Sequence, residues 1–188
     1  MADVGMERVL DEWSLWTAMR RLWADHVIWT RQYVVAAVAG TPDAEAAAGR
    51  LLRNQEDIGA AVAGFYGEEA GLALTKLLKE HVMIAVDLIE AAKSGNNVRF
   101  GIRDRQWTKN ARDIASFLSK ANPYWPRKDV LDLLELHLDI TKQEVVARLE
   151  GNWAADVAAF DEIFAEILTL ADALSDGIVR QFAPDNAA

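Results

Sequence analysis

The pentapeptide Leu77-Leu-Lys-Glu-His81 recurs as Leu133-Leu-Glu-Leu-His137, 56 positions on, and its surroundings keep the same register. Asn54-Gln-Glu-Asp57-Ile58 returns as Asn110-Ala-Arg-Asp113-Ile114, and Gly95-Asn96 returns as Gly151-Asn152. A third, partial copy runs from Leu22-Trp-Ala-Asp-His26 to Gly40, with its histidine 14 residues before the glycine, as for the other two. Self-similarity at a fixed period marks one supersecondary unit used more than once, and here the segment Asn54–Gly95 resembles Asn110–Gly151.

The unit is a helical hairpin. Breakers stand at Gly40-Thr-Pro42, Phe65-Tyr-Gly67, Gly95-Asn-Asn97, Asn122-Pro-Tyr-Trp-Pro126 and Gly151-Asn152, and between them apolar residues recur at three- and four-residue spacing. This predicts helices over 6–39, 43–65, 69–94, 99–120, 127–150 and 153–181, with Asp43 and Asp129 near helix starts and Gly40, Gly95 and Gly151 as C-terminal caps. Short connections make neighbours antiparallel, so the expected fold is all-α: an up-and-down bundle of about six helical segments forming a single domain over 1–188. With 52% hydrophobic residues the chain can bury a core.

Composition narrows the chemistry. There is no cysteine, so disulfides, thiolate metal sites and cysteine nucleophiles are excluded, and any metal must use nitrogen or oxygen ligands. A net charge of -9 is the wrong sign for counterion-release binding, so no nucleic acid and no anionic membrane is expected as a partner. The start of the chain has no basic stretch leading into an apolar one, and a cytoplasmic location is expected. Gly-rich phosphate loops, G-x-S-x-G and H-E-x-x-H do not occur.

The repeat also places residues along the bundle axis. His26, Asn54, His81, Asn110 and His137 lie 14 or 15 residues from Gly40, Gly95 or Gly151, so at about 1.5 Å per residue they fall within a turn of one level. Asp161 joins them on the sixth helix, in the apolar row Val157, Asp161, Phe164, Leu168, Ala171. All three histidines have apolar neighbours, which predicts a polar layer inside a hydrophobic bundle. Buried His and Asp must bond one another, trap water or bind a metal.

Imidazoles and carboxylates converging from several helices are how bundles hold zinc, iron or manganese. The candidate ligands are His26, His81 and His137, with Asp57, Asp113, Asp161 and Glu144 as carboxylates. Asn54 and Asn110, with Thr30 and Thr141 one turn past two of the histidines, are candidates to orient the imidazoles from behind. A small-molecule ligand fits the same layer, and a metal would serve it as Lewis acid or redox centre. The alternative is a metal-free His–Asp hydrogen-bond network that fixes helix register in a non-enzymatic bundle. Trp13, Trp16, Trp23 and Trp29 crowd the first helix as core or cavity wall, and Arg20, Arg21 and Arg31 are candidates to receive an anion.

Leu22-Trp-Ala-Asp-His-Val-Ile-Trp-Thr-Arg31, Phe65-Tyr-Gly-Glu-Glu69, Asn122-Pro-Tyr-Trp125, His137-Leu-Asp-Ile-Thr-Lys142 and Gly177-Ile-Val-Arg-Gln-Phe182 resemble a family of bacterial helical proteins found in spore-forming Gram-positive genomes. Members of that family carry names such as acetylglutamate kinase or glycosyltransferase. Those are α/β enzymes, and this chain has neither a strand pattern nor a phosphate loop. A looser similarity is to the DinB-like bundles, whose three histidines bind a divalent metal. They place two histidines on one helix, whereas here each has its own.

Overall fold

The computed structural model describes residues 12–182. It contains six helices: α1 (Glu12–Ala39), α2 (Ala44–Tyr66), α3 (Glu68–Lys93), α4 (Asn97–Ala121), α5 (Arg127–Leu149) and α6 (Trp153–Phe182). The boundaries fall within a few residues of those predicted, and the predicted first-helix residues 6–11 lie outside the described residues.

Three of the five connections are built alike. Gly40, Gly95 and Gly151 have φ of 70°, 67° and 70°, a backbone conformation that side chains with a Cβ resist. Around each, the glycine N–H bonds the carbonyl three residues back, and the next N–H bonds the carbonyl five back: Thr41 to Ala36, Asn96 to Ala91, Asn152 to Ala147. This is the Schellman closure, which satisfies the last carbonyls of α1, α3 and α5. Asn96 and Asn152 then accept from the N–H groups of Arg99 and Ala155, opening the next helix at once. Asp43 occupies the position before α2 without a side-chain bond, and Asp129 lies in the first turn of α5.

Each helix packs against its neighbours in sequence, and α6 closes on α1, giving a ring of six. The odd-numbered helices also meet one another, so α1, α3 and α5 converge inside the ring. Being three of an up-and-down series, they run the same way, which brings their matching positions to one level. The larger apolar core includes Met19, Trp23, Ile58, Leu74, Ile114 and Leu134, and a smaller cluster near the glycine turns joins Tyr33, Val34, Ala37, Ile89 and Val145. No helix among the described residues is long and apolar enough to cross a membrane.

Helices α2 and α3 touch backbone to backbone. A Cβ on Gly71 would lie 2.6 Å from both the Gly59 carbonyl oxygen and the Ala63 Cβ. Gly71→Ala is therefore expected to lower stability by about 1–3 kcal/mol through overpacking, although alanine is the better helix former. Urea denaturation reads this directly, and an unchanged midpoint would show that the two helices can separate at no cost.

Candidate functional site

His26 on α1, His81 on α3 and His137 on α5 are 5%, 5% and 4% exposed. Their rings gather where the inner helices meet: the His137 centroid is 5.7 Å from that of His26 and 6.5 Å from that of His81. The common level follows from the three identical glycine turns, each 14 residues beyond its histidine.

Each imidazole is held through Nδ1 by a side chain from the following helix, and the partner is 29 positions later in every case. His81 Nδ1 meets Asn110 Oδ1 at 2.9 Å, His137 Nδ1 meets Glu166 Oε2 at 3.0 Å, and His26 Nδ1 meets Gln55 Nε2 at 3.2 Å. Among the described residues no hydrogen bond reaches any of the three Nε2 atoms. The rings line a cavity of about 20 Å³ together with Thr30, Tyr33 and Thr141. Room of that size suffices for a single water.

Burial, reinforced by repulsion from His137 and His81, holds His26 well below the usual imidazole range. Burial with repulsion from His137 brings His81 down to about 3. Both rings are neutral near pH 7, so each has one N–H and one lone-pair nitrogen. Five buried side-chain polar atoms of the described residues lack a partner, and four of them flank this layer. They are Gln55 Oε1, Glu166 Oε1, and the indole nitrogens of Trp23 and Trp107, whose rings lie 5.9 Å from His26 and 5.1 Å from His81.

The predicted carboxylates are elsewhere. Asp57, Asp113 and Asp161 are exposed. Asp57 lies 3.6 Å from Arg50, and Asp113 pairs with Lys109 at 2.6 Å. Helical phase explains all three. The inward rows are Leu51, Asn54, Gln55, Ile58 on α2, Trp107, Asn110, Ala111, Ile114 on α4, and Ala159, Ile163, Glu166, Ile167 on α6. Each aspartate stands two residues from a member of its row, about 200° around the helix. The acid in the core of α6 is Glu166.

Glu144 is buried, two turns beyond His137, and its carboxylate is held by Arg31 rather than facing an imidazole. Arg31 also grips Asp156 through both nitrogens at 2.8 and 3.0 Å, and Arg148 reaches Asp156 at 3.0 Å. Burial pushes Glu144 up against the pull of Arg31. Burial also pushes Asp156 upward, but Arg31 and Arg148 outweigh it and hold it below the usual carboxylate range. Arg31 is thus committed to two acids, and Arg20 is paired with Asp172 at 2.6 Å, so neither stands ready for an anion.

Asn110 Oδ1 meets the His81 ring directly. Asn54 instead sends Nδ2 to the Leu22 carbonyl at 2.9 Å and reaches His26 only through Gln55. The hydroxyls of Thr30 and Thr141 bond the backbone carbonyls of His26 and His137, not the rings. Gln55 and Glu166, the partners that the identity of Asn54 and Asn110 does not point to, share a spacing signal instead: residues 55, 110 and 166 each stand 15 past a turn glycine.

As the side chains lie, no group of three or more His, Asp or Glu among the described residues is close enough to hold a metal ion. Three imidazoles on one tetrahedral ion, at about 2.0–2.1 Å per bond, would bring the centroids to roughly 5 Å, so the layer is somewhat wider than a closed site. Compared with family models, curated proteins and solved structures, the chain matches none.

Proposed function

We propose that the protein binds one divalent transition metal, zinc, iron or manganese, through Nε2 of His26, His81 and His137. The observation that carries this reading is that every imidazole is held from behind by an oxygen- or amide-bearing side chain while its Nε2 is left unbonded. Outer acceptors such as the Asn110 amide oxygen behind His81 and the Glu166 carboxylate behind His137 are what fix ring orientation and raise donor strength in histidine metal sites. A histidine, its partner and a glycine turn, repeated at the same spacing, support one hairpin used three times to build the layer. Three imidazole ligands leave a coordination position for water, as in metal sites that act as Lewis acids. A cavity of about 20 Å³ gives a larger substrate no room beside it unless the inner helices part.

One observation favours the rival reading, a metal-free layer that sets helix register: the ring centroids are 5.7 and 6.5 Å apart. Metal analysis of untagged protein, purified without chelator, separates the two. Near-stoichiometric metal is expected, and it should be lost in each of His26→Ala, His81→Ala and His137→Ala. Folded wild-type protein that takes up no zinc, iron, manganese or copper would overturn metal binding and leave the register layer.

A further inference from the structure

The three histidine partners differ in polarity, and the difference traces to backbone carbonyls, which can only accept hydrogen bonds. On the second hairpin, Asn110 donates Nδ2 to the Leu77 carbonyl at 3.1 Å. Its Oδ1 is thereby turned to His81, which must donate from Nδ1 and keep its lone pair on Nε2. On the third, Glu166 offers a carboxylate oxygen, so His137 also donates from Nδ1.

The first hairpin inserts one more amide into the chain of bonds. Asn54 Nδ2 donates to the Leu22 carbonyl, which leaves Asn54 Oδ1 to accept from Gln55 Nε2 at 3.1 Å. Gln55 Nε2 is also 2.8 Å from the Leu51 carbonyl. Turning the Gln55 amide over would set its oxygen against both acceptors. Turning Asn54 as well would set an oxygen against the Leu22 carbonyl. The amide nitrogen therefore faces His26 Nδ1, its two hydrogens shared among three acceptors; because an amide nitrogen cannot accept, a proton on Nδ1 would find no acceptor there, and neutral His26 keeps its proton on Nε2.

We propose that Gln55 holds His26 in the Nε2–H tautomer and thereby controls metal entry to the layer; the control of entry rests on the metal-binding reading above, and the tautomer does not. In the metal-free layer, the His26 Nε2–H and the His81 Nε2 lone pair then face the cavity, a pattern that suits a water which accepts from His26 and donates to His81. Three-histidine ligation needs the proton of His26 moved to Nδ1, which requires an acceptor at residue 55. Gln55 Oε1, buried and unpartnered, becomes that acceptor when the amide rotates.

Proton–nitrogen-15 correlation across the histidine rings of metal-free protein tests the tautomer without any metal. His26 is expected as Nε2–H, with His81 and His137 as Nδ1–H; finding His26 as Nδ1–H in the wild type overturns the proposal. Gln55→Glu supplies an acceptor and should convert His26 to Nδ1–H. Zinc titration by chelator competition tests the control of entry, with Asn110→Asp adding the same charge beside a ring already in the right tautomer. Gln55→Glu should tighten zinc at least about tenfold more than Asn110→Asp does. Equal changes in both variants would reduce the effect to charge and overturn the control of entry. Zinc binding to neither variant nor the wild type would instead overturn the metal reading, with the tautomer result still standing.

Discussion

Arg31→Met should cost about 3–5 kcal/mol of stability near pH 7, the scale for removing one partner of a buried ion pair. Arg31 is the only cation hydrogen-bonded to Glu144 among the described residues, and it shares Asp156 with Arg148. Without it, Glu144 is a buried carboxylate facing no compensating charge. Asp156 keeps Arg148 and suffers less. The loss should depend on pH, with a sign that follows from the direction of each shift. Glu144 is raised in the folded state by burial, and more so once the guanidinium is gone, so the penalty is full above its folded pKa and relieved as pH falls through it. Asp156 is lowered, so its contribution is present above the unfolded pKa and fades as pH falls through the folded one, in the wild type more than in the variant. Both effects shrink the gap between the proteins on acidification. Urea denaturation at about pH 7 and about pH 5 should show the deficit falling. A deficit equal at both would assign it to lost packing of the guanidinium over the Phe160 ring, 4.9 Å from its centroid.

On the proposed metal-binding reading, Asn110→Leu should weaken zinc binding by about 10–100-fold, the range for losing an outer hydrogen bond to a ligating histidine. The leucine fills the space but leaves the His81 Nδ1–H without an acceptor in a dry core, and about 1–3 kcal/mol of stability should go with it. Thr141→Val is the control. Its hydroxyl bonds the His137 carbonyl at 2.7 Å and not the ring, so zinc affinity should stay within about twofold. Chelator competition on the folded variants measures both, and wild-type affinity in Asn110→Leu would mean that Asn110 does not orient His81.

The helices and the level of the histidines were legible because both depend on local chemistry. Gly40, Gly95 and Gly151 end their helices through φ values near +70°, and rise per residue then counts each histidine to the same height. The facing of the acids was less legible. An error of one residue turns a side chain by about 100°, and in α6 two rows compete: Val157, Phe164, Leu168 and Ala159, Ile163, Ile167, Leu170 are both apolar. Only packing against α1 and α5 selects the second row, which buries Glu166 and exposes Asp161. Matching Asn54 to Asn110 by identity likewise hid Gln55, which occupies the equivalent distance from its turn.

The amino-acid sequence by itself determined the all-helical class, the places of the five connections and the common level of three buried imidazoles, since caps, turns and spacing act over a few residues. Only the tertiary structure decided which atoms meet across helices. Arg31 finds Glu144 and Asp156 at separations of 113 and 125 residues because α5 meets α1 inside the ring and α6 closes the ring against α1. The polarity at His26 is decided the same way: which carbonyl an asparagine reaches depends on how two helices sit against each other, and that choice orients every amide after it.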